Sequence, residues 1–178
     1  KVPSGKLTAT MPKSVGQIPL YYNHLNTGRP LKEGKWFTKF TSNYLDIDND
    51  PLYPFGYGLS YTTFKYGKPT LSSNTMTNNE TISISVDITN TGNYDADEIA
   101  QMYIRDLVAS VSRPVKELKG FERISIKKGE TKTVTFTITP EDLKFYNQEL
   151  EYKNEPGEFE VMVGRNSKDV QTLTFTLK

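Results

Sequence analysis

From about residue 68 onward, apolar and polar residues alternate with a period of two. Ile82, Ile84, Val86 and Ile88 alternate with Ser83, Ser85, Asp87 and Thr89, the pattern of a strand with one buried and one wet face. Asn90-Thr91-Gly92-Asn93 supplies a turn, and Ala100, Met102 and Ile104 then alternate with Gln101, Tyr103 and Arg105. Ile124 and Ile126 lead into the turn Lys127-Lys128-Gly129-Glu130, after which Val134, Phe136 and Ile138 oppose Thr133, Thr135 and Thr137. Phe159, Val161 and Val163 run into Gly164-Arg165-Asn166-Ser167, and Leu173, Phe175 and Leu177 end the series. With a first strand near 69–71, the pattern predicts about seven strands in roughly 110 residues, an all-β immunoglobulin-like sandwich. One helical turn is predicted at Thr139-Pro140-Glu141-Asp142-Leu143, with Thr139 as cap and Pro140 at the first helical position.

Residues 1 to about 66 carry no such period. Pro and Gly recur throughout, and only 6–11 reads as a short strand. A stretch this long without regular structure needs a partner surface to become ordered. Its last part, Pro51-Leu52-Tyr53-Pro54-Phe55-Gly56-Tyr57-Gly58-Leu59-Ser60-Tyr61-Thr62-Thr63-Phe64, holds five aromatic rings, two prolines and two glycines. Pro54 fixes φ, and Gly56 and Gly58 permit the turns that bring the rings onto a neighbouring body. It reads as a shaped connector, since a free linker is polar.

Charge changes this picture little. Lys+Arg 22 against Asp+Glu 21 is near balance, which gives no electrostatic case for a nucleic-acid partner. With no cysteine and a single histidine, disulfides and thiolate metal sites are excluded. No apolar run reaches the ~20 residues of a membrane span. The leading Lys1-Val2-Pro3-Ser4-Gly5 has no signal-peptide pattern and reads as the interior of a longer chain.

Candidate chemistry is sparse. Asp46-Ile47-Asp48-Asn49-Asp50 has the oxygen spacing of a calcium loop, but Pro51 stands where the loop needs Gly and Tyr57 where it needs a bidentate Glu. A polar turn is the expectation, and neither a metal nor a cofactor is predicted. Gly56-Tyr57-Gly58 lacks the third glycine and the following helix of a dinucleotide fingerprint. The acidic residues fall in turns and near the sandwich end, so no carboxylate pair is predicted to hydrolyse a glycoside and no catalytic residue is assigned. Tyr21, Tyr22, Trp36, Phe37 and Tyr44 lie near Asn23, His24, Asn26 and Arg29. Rings that stack on C–H faces beside amides and a guanidinium suit a sugar. The same rings also suit anchoring an unperiodic segment, and the cost of ordering such a segment favours that second reading.

Longer words carry a family likeness. Met11-Pro12-Lys13-Ser14-Val15-Gly16-Gln17-Ile18-Pro19, the run from Tyr21 to Pro30, the connector words from Leu52 to Thr62, and Ser112-Arg113-Pro114-Val115-Lys116-Glu117-Leu118-Lys119-Gly120-Phe121 stand in order along the chain. In these the chain resembles the C-terminal end of bacterial glycoside hydrolase family 3 β-glucosidases of the periplasmic type. The resemblance implies a parent with a barrel domain, an α/β sandwich domain and a fibronectin type III-like domain. Residues 1–65 would be the end of the α/β sandwich domain plus connector, and residues 66–178 the fibronectin type III-like β-sandwich. It implies a retaining hydrolase of terminal non-reducing β-D-glucosyl residues whose nucleophile and acid/base lie upstream, so that this chain alone is inactive. The connector would then lean on a body largely outside this chain. Partners so implied are the upstream domains, a β-glucoside or oligosaccharide, and a second copy at a dimer contact. The implied location is periplasmic or secreted, with the signal sequence elsewhere. By analogy Tyr22, Asn23, His24, Asn26, Arg29 and Trp36 are candidates for an outer sugar subsite. The competing expectation is an autonomous carbohydrate- or surface-binding β-sandwich without hydrolase activity.

Overall fold

The computed structural model describes residues 1–178 except Glu33, Gly34 and Trp36. Its strands are β1 (Phe64–Tyr66), β2 (Thr70–Leu71), β3 (Thr75–Met76), β4 (Ile82–Asn90), β5 (Ala96–Asp106), β6 (Glu117–Ile126), β7 (Thr131–Ile138), β8 (Phe145–Tyr146), β9 (Tyr152–Lys153), β10 (Gly157–Gly164) and β11 (Val170–Leu177). β1 and β2 follow one another along one edge of β4, and β7 pairs with its other edge. The second sheet runs β3-β11-β10-β5-β6, antiparallel except for β3 beside β11. The first strand position is thus broken into three pieces shared between two sheets. Counting those pieces as one, and setting aside the small β8–β9 hairpin, the sandwich has the seven strand positions the alternation predicts.

The period-two residues become the core. Ile82, Ile84, Val86 and Ile88 of β4 join Val134, Phe136 and Ile138 of β7 against Met102, Ile104, Val161, Val163, Phe175 and Leu177, the interdigitated inner faces of two packed sheets. Across β4 and β7 the register pairs Ile84 with Phe136 and Val86 with Val134, while Ser85 and Thr135 share a hydroxyl bond of 2.8 Å on the wet side. Ile124 and Leu173 are only half-buried. β6 is longer than its two isoleucines suggest, because an edge strand with Phe121 facing solvent shows no clean alternation. The turn after β7 is a 3-10 turn, Pro140–Leu143, whose Asp142 carboxylate accepts from the Thr139 N–H and hydroxyl at 2.8 and 2.7 Å.

One face departs from the pattern. Gln101 and Tyr103 alternate outward from the core on β5, yet both are buried. The connector covers them. Gln101 Nε2 donates to the carbonyls of Gly56 and Arg165 at 3.1 and 2.8 Å, and its Oε1 accepts from the Tyr103 hydroxyl at 2.5 Å. Ser167 N–H donates to the Phe55 carbonyl at 2.9 Å. Gly56 has φ +79°, and a Cβ there would lie 2.0 Å from Gln101 Oε1. This corrects the expectation that the connector leans mainly on a body outside the chain: its inner side rests on the chain's own five-stranded sheet.

The leading segment is held by the same device. The expected strand at 6–11 is an extended run that exchanges backbone bonds with the connector, Leu7 with Gly56 and Tyr57 and Met11 with Leu52 and Tyr53, without becoming a regular strand. Lys6 Nζ reaches both carboxylate oxygens of buried Glu98 at 3.2 Å, and the Tyr66 hydroxyl donates to the same group at 3.0 Å. Burial first, then the neighbouring Glu98 charge, pushes the Tyr66 phenol well above its ordinary range. Gln17, fully buried, accepts from Lys13 N–H and donates to the Asp48 and Asp50 carbonyls.

Candidate carbohydrate-contacting site

Tyr22 is the post on which the candidate loop stands. Its ring stacks on Phe55 at 4.2 Å and meets Tyr103 edge-on at 5.8 Å, and its hydroxyl accepts from Leu118 N–H at 3.3 Å. The residues after it run along the chain that leads into β6: Val115 N–H donates to the His24 carbonyl at 2.9 Å, and Leu25 bridges Pro114. Asn26 Oδ1 accepts from Gly28 N–H, where φ is +75°, and Ser42 N–H donates to the Arg29 carbonyl at 2.8 Å. Asn49 then ties the 42–49 turn, donating to the Ser42 carbonyl and accepting from Tyr44 N–H.

Between these turns lies a cleft of about 600 Å³, lined among others by Leu20, Leu31, Tyr44 and Val115 and by the polar His24 and Asn26. Its volume falls within the roughly 300–1,000 Å³ of small-molecule sites. Apolar carbon beside an imidazole and amides matches a sugar, which offers C–H faces and hydroxyls together. Among the described residues no Asp or Glu lines the cleft, and these residues do not assemble the two carboxylates that glycoside hydrolysis requires. The described lining has the chemistry to hold a sugar.

The structure therefore divides the sequence candidates. His24 and Asn26 come together on the cleft, and Tyr22 sits behind it as an anchor. Asn23 and Arg29 are exposed outside the lining. Trp36 lies outside the described residues. Leu20, Leu31 and Val115 were not singled out by the sequence pattern, because cleft lining follows no period. Gln17 and Gln101, which shape the loop's support, carried no signal beyond being polar.

The calcium-like acidic turn is used internally. The Asp48 carboxylate takes Lys13 Nζ at 2.7 and 2.8 Å, which holds its pKa below the ordinary aspartate value, and Asp50 pairs with Lys168 at 2.6 Å. Among the described residues no group of three His, Asp or Glu is placed to hold a metal ion. No helix among them is long and apolar enough to cross a membrane.

Residues 98–167 match the fibronectin type III-like domain. Over 98% of its length the chain is 55% identical to a periplasmic β-glucosidase of Salmonella typhimurium, of which it covers 23%. It is 48% identical to a putative β-xylosidase of Formosa agariphila, covering 99% of this chain and 22% of that protein. The crystal structure of a β-glucosidase from Listeria innocua in complex with glucose superposes with a TM-score of 0.92 at 45% identity, covering 99% of this chain and 24% of that one. The chain thus spans about a quarter of the length of the proteins it matches.

Proposed function

The chain belongs to the C-terminal, fibronectin type III-like part of the family 3 β-glucosidases, a non-catalytic module of a larger hydrolase, and from that premise we propose that it braces the catalytic domains and shapes an outer sugar subsite. In this reading the parent removes terminal β-D-glucosyl residues with retention, and the reacting carboxylates stand on upstream barrel and α/β domains. Residues 1–65 belong to the α/β domain and connector, and 66–178 form the sandwich. The subsite is drawn from Tyr22, Asn23, His24, Asn26, Arg29 and Trp36, with His24 and Asn26 toward the sugar and Tyr22 fixing the loop. A periplasmic location accompanies this reading, as for the Salmonella relative.

One observation carries it. The inner side of segment 1–66 is satisfied by the sandwich, but its outer side is bare: Val15 and Phe40 are each 84% exposed and Leu45 80%, with Ile18, Leu59 and Tyr61 also exposed. Exposed apolar surface concentrated in one segment marks an interaction surface, and the relatives carry some three quarters of their length beyond the matched part. That remainder is the occupant this surface fits.

The test compares aryl β-glucoside hydrolysis by this chain alone with hydrolysis by the whole protein. Activity in the whole protein only, with Phe40→Asp and Leu45→Asp lowering the whole protein's melting temperature, supports the reading. Hydrolysis by the chain alone, or a reading frame without upstream domains, sinks it.

A further inference from the structure

The β8–β9 hairpin presents two largely exposed tyrosines, Tyr146 and Tyr152, the latter with Lys144 Nζ 5.8 Å from its ring centroid. Phe145, its buried foot, lies 4.5 Å beneath the Arg113 guanidinium. Tyr146 and Tyr152, paired across the hairpin, stand 66% and 49% exposed with ring centroids 5.0 Å apart at 44°. The turn between them is fixed by Asn147. Its buried side-chain oxygen accepts from the N–H groups of Glu149 and Glu151, its side-chain amide donates to the Glu151 carboxylate, and its backbone N–H donates to the Glu151 carbonyl. Those bonds hold Leu150 at φ 63°, a conformation that persists in a non-glycine residue where surrounding contacts over-determine it. The platform is thus ordered before anything binds, which lowers the cost of binding.

Two ion pairs and one carboxylate–serine contact flank the platform. Lys153 pairs with Glu151 and Lys144 with Glu141, each at 2.6 Å, and Glu155 takes the N–H and hydroxyl of Ser110. Glu149 and Glu155 have no ion-pair partner among the described residues, so the patch repels an anion, while such carboxylates accept from the hydroxyls of a neutral ligand whose apolar faces meet the rings. Gln148 Nε2 joins the hairpin to the Ser110 carbonyl at 3.1 Å. Ser110 belongs to a cleft of about 340 Å³ lined by residues 105–113 with Asn26 and Gly28. Two of its lining residues contribute buried polar atoms without a hydrogen-bond partner, the acceptor Asp106 Oδ2 and the donor Arg113 Nε. Neither atom is open to solvent, so a ligand hydroxyl reaches them only once the side chains turn outward.

We propose that the Tyr146/Tyr152 platform and the adjoining 105–113 cleft bind a neutral oligosaccharide. Pyranose C–H faces lie on the two rings, and hydroxyls reach the cleft. The choice of a β-glucan as probe rests on the β-glucosidase reading above; the site itself rests on the hairpin and cleft.

The 178-residue chain is titrated with cellohexaose by calorimetry. Saturable binding is expected, weakened about tenfold or more by Tyr146→Ala or Tyr152→Ala and kept by Tyr146→Phe and Tyr152→Phe, because the rings carry the stacking. Both side chains are exposed, so the variants should melt with the parent. Absence of binding, equal affinity in the alanine variants, or a sedimentation coefficient that falls with Tyr146→Ala (a contact between copies) overturns the proposal. Hydrolysis by the whole protein is read separately, so failure of one reading leaves the other standing.

Discussion

Gly56 shows how much one position carries. Its positive φ and the 2.0 Å gap that a Cβ would have to Gln101 leave no room for a side chain. Gly56→Ala is expected to cost about 2–4 kcal/mol, the sum of backbone strain and a displaced buried amide, read as a lower urea midpoint. The sequence pointed to this glycine because it sits in a ring-rich connector. It did not name the partner, because Gln101 lies forty-five residues away. Gln17 was equally silent: a polar residue among breakers gives no hint that four hydrogen bonds converge on it from 13, 44, 48 and 50.

At the level of elements, the leading segment is held to the sandwich by an ion pair more than by strand pairing. Lys6→Met leaves the Glu98 carboxylate buried with only Tyr66 to answer it. Breaking one side of a buried pair is expected to cost about 3 kcal/mol, seen as early proteolysis of residues 1–11 while β4 and β10 stay protected. Between β5 and β6, cross-strand Asp97 accepts from the Ser125 hydroxyl and from Arg123 at 2.5 Å. Those bonds, Ser125 first and then Arg123, hold its pKa below the ordinary aspartate value. The stability it contributes is therefore full above the unfolded aspartate pKa near ~4 and is lost as pH falls through its lower folded value. Asp97→Asn should flatten the loss of stability as pH falls below about 4, by under about 1 kcal/mol for a solvent-reached pair. A thermal melt series of both proteins across that range checks it.

For the molecule as a whole, the sandwich and the leading half differ in how they are secured. Strands β4, β5 and β10 carry full ladders around one core, whereas residues 20–32 and 37–50 have few backbone bonds and bare apolar side chains. Amide exchange in the isolated chain should be fast in 20–32 and 37–50 and slow in those strands, and it should slow in the first region within the whole protein. Equal protection of both regions in a dilute monomer would contradict the docking role of that surface.

By itself the sequence determined the sandwich. Period-two alternation is a local consequence of the pleat, so Ile82 to Ile88 and Val134 to Ile138 announce their inward face without reference to any partner. It also announced, through the words from Met11 to Phe121, which enzymes the chain is kin to. Tertiary structure alone decided that Gln101 and Tyr103, which alternate as outward residues, are buried beneath the connector. It alone sorted the candidate sugar residues into a post, Tyr22, and a rim, His24 and Asn26. Burial of an outer sheet face and the lining of a cleft depend on contacts between residues far apart in the chain, and no local period encodes such contacts.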